Sequence, residues 1–180
     1  HVEWRDSLQS GLSELQREAI LAELSALRRY CFSLVRDIED ADDLLQATVE
    51  RVLSTGMPEN AHPGKWLFTV CKNLWIDDLR HQKVKKHSLH MVADDPKDKP
   101  GTEREAHSQR LSKAVTEAIR HLPSDQRLAL SLVAIEGKSY ADAALILDLP
   151  IGTVMSRVSR ARSALAACIE EYGDYGPKKP

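Results

Sequence analysis

The chain has 180 residues, 42% of them hydrophobic, 29% charged and 5% aromatic, with a formal net charge of −2. That is the make-up of one medium or two small soluble domains whose cores are filled by aliphatic side chains. It excludes a histone-like polycation, so nucleic-acid contact must come from local basic patches; no apolar run nears the ~20 residues of a membrane span, and a cytoplasmic protein without membrane insertion is expected.

Strand signals are absent: there is no sustained alternation and no Asn-Gly or Asp-Gly hairpin turn. Helical periodicity predicts a first helix from Ser13, with Gln16 placed for a capping box, carrying Leu15, Ile20, Leu24, Leu27, Cys31 and Leu34 in one or two segments. DIED, residues 37–40, reads as a polar break, and a second helix is predicted over residues 41–53. Its apolar arc is Ala41, Leu44, Leu45, Thr48, Val49 and Val52; its other face presents Asp43, Gln46, Ala47 and Glu50. That face suits plain solvation or docking of a basic partner helix equally well.

STGMPENAHPG, residues 54–64, is a loop by composition. A long third helix is predicted from Lys65 into RHQKVKK, burying Leu67, Phe68, Val70, Cys71, Leu74, Trp75 and Leu79. Its other face carries Thr69, Lys72, Asn73, Arg80 and Lys83, with Lys85 and Lys86 beyond, and Asp77 is spaced to pair with Arg80 or His81. Trp66 reads as core rather than as a base-stacking platform.

Between residues 88 and 102 the pattern collapses into ADDPKDKPG and its surroundings, a linker without a core of its own. Periodicity returns with Leu111, Ala114, Val115, Ala118, Ile119 and Leu122; Pro123 ends that helix and Ser124 is placed to cap the next, through Ile135. Ser139 with Asp142 marks another capping box, opening a short helix that ends near Leu147. After the turn DLP comes IGTVMSRVSRARSAL, residues 151–165. Two helices separated by a few residues, the second rich in Arg and Ser, form a helix-turn-helix pattern.

At 100° per residue, Val154, Val158, Ala161 and Leu165 fall within about 60° and must face a core. Thr153, Ser156, Ser159, Arg160 and Ser163 take the opposite face, with Arg157 and Arg162 at the seam, and no acidic residue occurs between Ile151 and Ile169. Short hydroxyl side chains let a helix sit deep in a major groove, and arginines reach guanine edges or phosphates. The expected fold is therefore all-α: two small helical domains joined by a flexible linker, the second containing a helix-turn-helix.

Cys31, Cys71 and Cys168 are far apart and lack zinc-site spacing, so they read as buried thiols of a reducing compartment. His62 has no Cys or second His at ligand spacing. No metal and no cofactor is expected. There is no Ser-His-Asp, Cys-His or paired-carboxylate cluster, no P-loop and no GxGxxG, so an enzyme is not expected.

DADDLLQATVERVL, WLFTVCKNLWIDDLR and LPSDQRLALSLVAIEGKSYADAALILDLPIGTVMSRVSRAR together resemble bacterial sigma factors of the extracytoplasmic-function group, in the family's order and over most of residues 20–168. The resemblance implies a first domain (1–87) that binds core RNA polymerase and the minus-ten element, a linker (88–106) threading the polymerase cleft, a second domain (107–172) for the minus-thirty-five element, and a tail (173–180). Asp40, Asp43, Gln46 and Glu50 would bind the beta-prime clamp helices, and the beta flap would be a further polymerase contact. Asn73, Asp77 and Arg80 match the family's promoter-facing motif, joined at the minus-ten element by Lys65, Thr69, Lys72 and Lys83. The loop, with Asn60 and His62, would capture a base flipped from the non-template strand. Ser139, Thr153, Ser156, Arg157, Ser159, Arg160 and Ser163 would bind the minus-thirty-five element. An anti-sigma factor would be the inhibitor, in control of a stress, envelope or metal response.

Two departures from the family stand out: Met155 occupies a position where many members have Lys, and Asp148 lies where many have Gly in the turn. With few aromatics for stacking, weak melting and a need for a well-matched promoter are expected. A stand-alone helix-turn-helix regulator would need neither the basic helix nor the loop of the first half. A sigma-like decoy would be expected to lose the basic faces that are present here.

Overall fold

The computed structural model of the protein describes residues 12–86 and 103–173. Among them there is no strand, and the helices are α1 (Glu14–Val35), α2 (Ile38–Thr55), α3 (Pro63–Lys86), α4 (Glu103–His121), α5 (Ser124–Leu130), α6 (Tyr140–Leu147) and α7 (Ile151–Gly173); a single π-helical turn, Ser131–Ile135, continues α5. The linker residues 87–102 and the tail from 174 lie outside the described residues. Since α4 begins at Glu103, the last four positions of the expected linker are helical.

The helix ends follow side-chain chemistry. Ser13 and Gln16 form the reciprocal box, the Gln16 amide N–H donating to Ser13 Oγ at 3.2 Å and the Ser13 N–H to Gln16 Oε1 at 2.8 Å. From there α1 runs as one helix, stopped by Arg36 in the left-handed region (φ 63°). The expected four-residue break at 37–40 is only two residues long. Asp37 accepts the Asp40 N–H at 3.0 Å as N-cap, and the acids after it lie in the first turn of α2, where the helix dipole favours them. Gly56 (φ 70°) ends α2 and leaves residues 56–62 as the loop, shorter than the expected 54–64. Ser124 makes no side-chain cap; Pro123 occupies the N-cap position of α5 instead.

In the first half, Leu27, Tyr30, Cys31 and Leu34 of α1 meet Ala41, Thr48 and Val52 of α2 and Leu67, Phe68, Cys71 and Trp75 of α3, all buried. Tyr30 and Phe68 pack edge to face with centroids 5.1 Å apart. The Cys31 and Cys71 thiols touch at 3.5 Å, and that contact together with burial holds Cys71 protonated. Cys168 is only half-buried. In the second half, Ile119 and Leu122 of α4, Leu128 and Leu132, Ala143 and Ile146 of α6, and Val154, Val158 and Ala161 of α7 share one core.

The apolar cluster then continues from one half into the other. α1 lies against the π turn and α3 against α6. Arg127 of α5 is the clasp. Its guanidinium donates to Leu34 O at the end of α1 (2.7 Å), to Leu122 O (3.2 Å) and to Arg120 O, and stacks 5.6 Å from the Trp75 ring. Carbonyls left over at two helix C-termini are thus satisfied by one cation. Lys138 sits 4.8 Å over the Phe68 ring. A composition-based reading sees a loose tether here and cannot see that the faces on either side of it are complementary.

Candidate nucleic-acid and polymerase interface

Asp40, Asp43, Gln46 and Glu50 are all exposed along one face of α2. Gln46 Nε2 donates to Glu50 Oε1 at 2.8 Å, so the amide and the carboxylate form one polar patch. Asp42 is excluded from that patch by a two-pronged pair with Arg28 of α1 (2.8 and 3.1 Å), which holds its carboxyl below the usual carboxylate range. Between this face and the clasp is a cleft of about 680 Å³, lined by Asp40, Asp43, Leu44, Trp75, Asp78 and Arg127 among others.

The polar side of α3 is split in two. Asn73, Asp77, Arg80 and Lys83 are exposed, and Arg80 Nη1 donates to Asp77 Oδ1 at 3.3 Å, the pairing that helical spacing predicts. Lys65, Thr69 and Lys72 are half-buried. Thr69 turns its hydroxyl back onto Lys65 O (3.1 Å), and Lys65 Nζ meets Asp142 Oδ1 of α6 at 2.6 Å. Burial pushes the Lys72 amine below its ordinary value while the Asp148 carboxylate pulls it back up. Asn60 and His62 are exposed on the loop, and Trp66 is half-buried with its indole N–H buried and unpartnered. The side chains of Lys85 and Lys86 lie outside the described residues.

In the second half, Val154, Val158 and Ala161 are buried and Leu165 half-buried, as the spacing requires. Ser156, Ser159, Arg160 and Ser163 are exposed on the opposite face; Ser156 Oγ donates to Thr153 O at 2.9 Å. Arg157 turns back, its Nε 3.3 Å from Asp125 Oδ2 of α5. Ser139 is not on this face: it is the N-cap of α6, its Oγ accepting the Asp142 N–H at 3.0 Å. The reciprocal half of that box is not formed, because the Asp142 carboxylate has gone to Lys65, which holds it below its ordinary value. The turn between α6 and α7 requires a left-handed residue, and Asp148 supplies it (φ 54°, ψ 55°) in place of the Gly that such a turn favours.

Sequence reasoning overlooked the residues that join the halves: Arg29 (3.1 Å to Glu136), Glu23 (3.8 Å to Lys138) and Arg127. Arg127 leaves one trace in the sequence, a cation close behind Pro123 and just ahead of the apolar run from Leu128 to Leu130. Among the described residues no cluster of His, Cys, Asp and Glu could hold a metal, and no helix is long and apolar enough to cross a membrane.

Residues 19–84 match the family described as Sigma-70 region 2, and residues 112–165 that described as Sigma-70, region 4. The ECF RNA polymerase sigma factor EcfG of Rhodopseudomonas palustris is 38% identical over 92% of both chains. The chain belongs to the ECF sigma factors. As a sigma factor it directs RNA polymerase to promoters, with region 4 as its DNA-binding helix-turn-helix. The ECF sigma factor SigC of Mycobacterium tuberculosis is 35% identical over 74% of this chain and 72% of its own length. Among solved structures, the sigma factor RpoE of Bartonella quintana, in complex with the anti-sigma factor NepR, superposes with a TM-score of 0.68 at 28% identity over 88% of this sigma factor and 98% of that chain. CnrH, in complex with the cytosolic domain of CnrY, shares the fold (TM-score 0.62, 21% identity, 92% and 94% covered).

Proposed function

We propose that this sigma factor divides its work between two domains, residues 1–87 and 107–172. The α2 face of Asp40, Asp43, Gln46 and Glu50 docks on the beta-prime clamp helices of core polymerase, with the beta flap as a second contact. Asn73, Asp77, Arg80 and Lys83, with Lys65, Thr69 and Lys72 beside them, engage the minus-ten element, and Asn60 and His62 belong to a loop that takes up a flipped base. Capturing unpaired bases offsets the few kcal/mol per step that unstacking costs. Thr153, Ser156, Ser159, Arg160 and Ser163 lie in the major groove of the minus-thirty-five element, with Arg157 and Ser139 at its margin.

The observation that carries this reading is the two-sidedness of α7. Its apolar residues are buried, while a hydroxyl and arginine face with no acid stays open to solvent, the shape and charge a major groove accepts. The protein works in the cytoplasm, performs no chemistry of its own, and answers to an anti-sigma factor in a stress, envelope or metal response. Support for that control comes from relatives: RpoE and CnrH were each solved with a partner, NepR named as an anti-sigma factor in the first.

Reconstitution with core polymerase on a promoter library, read by transcript start sites, tests the whole reading. The wild-type chain should confer a defined start-site motif. Asp43→Arg should weaken association with core while leaving the isolated fold intact, and unchanged association would remove the α2 face from the proposal.

A further inference from the structure

The half-burial of Lys65, Thr69 and Lys72 has a definite cause. α6, the first helix of the helix-turn-helix, lies on that stripe of α3. At 100° per residue these three positions share one line along the helix, and Asn73, Asp77 and Arg80 lie further round, clear of α6. The contact is charge-matched. Lys65 meets Asp142 at 2.6 Å, with both side chains about a third exposed (35% and 37%), and Lys72 feels Asp148 at the end of α6. Two lysines seven residues apart on one helix thus face two carboxylates six residues apart on the other. Beside them Arg29 holds Glu136, and Glu23 and Lys138 pair with the signs exchanged. The apolar seam and the Arg127 clasp hold this register.

We propose that Asp142 and Asp148 stand in for DNA phosphates, so that the free protein is closed on itself and masks the Lys65–Thr69–Lys72 part of its minus-ten surface until the two halves separate. The inference rests on the reading of that stripe as a DNA surface. Both ligands need the same lysines, so occupancy by the carboxylates and by phosphates is mutually exclusive. The cross-domain pairs are partly solvated and weaken with ionic strength. Asp148 has a second role, because its left-handed backbone turns the chain into α7; a neutral residue there must tolerate that conformation, which Asn does.

The test uses the full chain carrying Asp142→Asn and Asp148→Asn together, against a control of equal charge with Glu14→Gln and Glu117→Gln. Two quantities are read: the radius of gyration by small-angle X-ray scattering, and binding of a fluorescein-labelled random single-stranded 12-mer at fixed salt. The double Asn variant should expand and should bind about three- to ten-fold more tightly than the control, as expected for freeing two phosphate-binding lysines. No expansion, with binding equal to the control, overturns the proposal. Adding Lys65→Gln and Lys72→Gln to the double Asn variant then separates the two ideas. If binding falls, the stripe does bind DNA and only a failed masking step was wrong. If binding does not change, the assignment of the stripe to DNA is wrong, and masking fails with it. Circular dichroism at matched concentration shows that each variant has kept its helices.

Discussion

The promoter-facing helix α3 and the recognition helix α7 are built alike and presented differently. Each buries one apolar side, Leu67, Phe68, Cys71 and Trp75 in the first and Val154, Val158 and Ala161 in the second, and each turns a polar, cationic side away from its own core. On α7 that side is open: Ser156, Ser159, Arg160 and Ser163 face solvent. On α3 part of it is covered by the other domain, with Lys65 committed to Asp142 and Lys72 partly desolvated. Amphipathicity alone therefore tells which side of a helix leaves its domain's core, not whether that side is available. Availability depends on the interface between domains, and there the decisive groups are few and mostly charged.

The comparison is broken most severely at Arg127. Its guanidinium satisfies carbonyls at the ends of α1 and α4 and stacks on Trp75, and burial pushes its proton affinity below the ordinary arginine value. Arg127→Met keeps the length and the apolar stem but leaves those carbonyls without a donor. The loss of stability should be about 2–3 kcal/mol, because unsatisfied acceptors cost more than the burial penalty of the removed charge returns. In urea, followed by circular dichroism, the single transition should split in two as the halves unfold independently. An unchanged, single transition would mean the apolar seam alone holds them together.

A smaller effect is expected on α7, where two arginines three residues apart have different surroundings. Arg160 is exposed; Arg157 is half-buried against Asp125. Arg160→Ala should weaken binding of holoenzyme to the upstream duplex by about 1–3 kcal/mol and relax selectivity at one base, as for loss of a base-edge contact. Arg157→Ala should cost less in binding and should lower the melting temperature slightly instead. Fluorescence polarisation on a minus-thirty-five library measures both, and equal losses with equal selectivity would show that Arg157 leaves Asp125 when DNA arrives.

How much of this was legible beforehand divides along the same line. The helices, the Ser13–Gln16 box, the buried sides of α2, α3 and α7 and the exposed arginine face all follow from local spacing, and the structure has them. Helix ends were less legible where a competing interaction decides them: Asp37 turns an expected break into a cap, and Pro123 takes the place expected of Ser124. Asp142 shows the limit most clearly. The pattern Ser139-x-x-Asp142 predicts a reciprocal box, and half of it forms, but the carboxylate prefers a lysine 77 positions away in sequence, which no local rule can foresee. The same holds for Arg29 and Glu136, separated by 107 positions.

The mildest perturbation concerns Glu136, and here the sign of the effect is informative. Its side chain is 1% exposed; Oε2 accepts from Arg29 at 3.1 Å, and Oε1 is buried without a partner. Burial raises the affinity of this carboxylate for a proton; Arg29 and Lys138 oppose the rise, and Glu23 adds to it. A carboxyl whose folded-state affinity is raised favours the folded protein fully below its unfolded value of about 4.3, and that contribution is lost as pH climbs through the raised value. At neutral pH the ionised side chain is thus a net cost to the closed form, only partly offset by Arg29, whose own side chain is 59% exposed and so contributes little. Glu136→Gln should stabilise the protein by about 0.5–1 kcal/mol at pH 7, with the advantage shrinking to nothing on acidification, once the wild-type carboxyl carries its proton. The Lys65-held carboxyl of Asp142 titrates in the opposite sense, with stability lost as pH falls, but it is common to both proteins and cancels in their difference. Urea midpoints of the pair at several pH values between neutral and about 4.5 would follow that difference. A variant less stable than wild type at pH 7 would mean that the Arg29 pair outweighs burial, and that the interface between the halves is held by charge at this point rather than in spite of it.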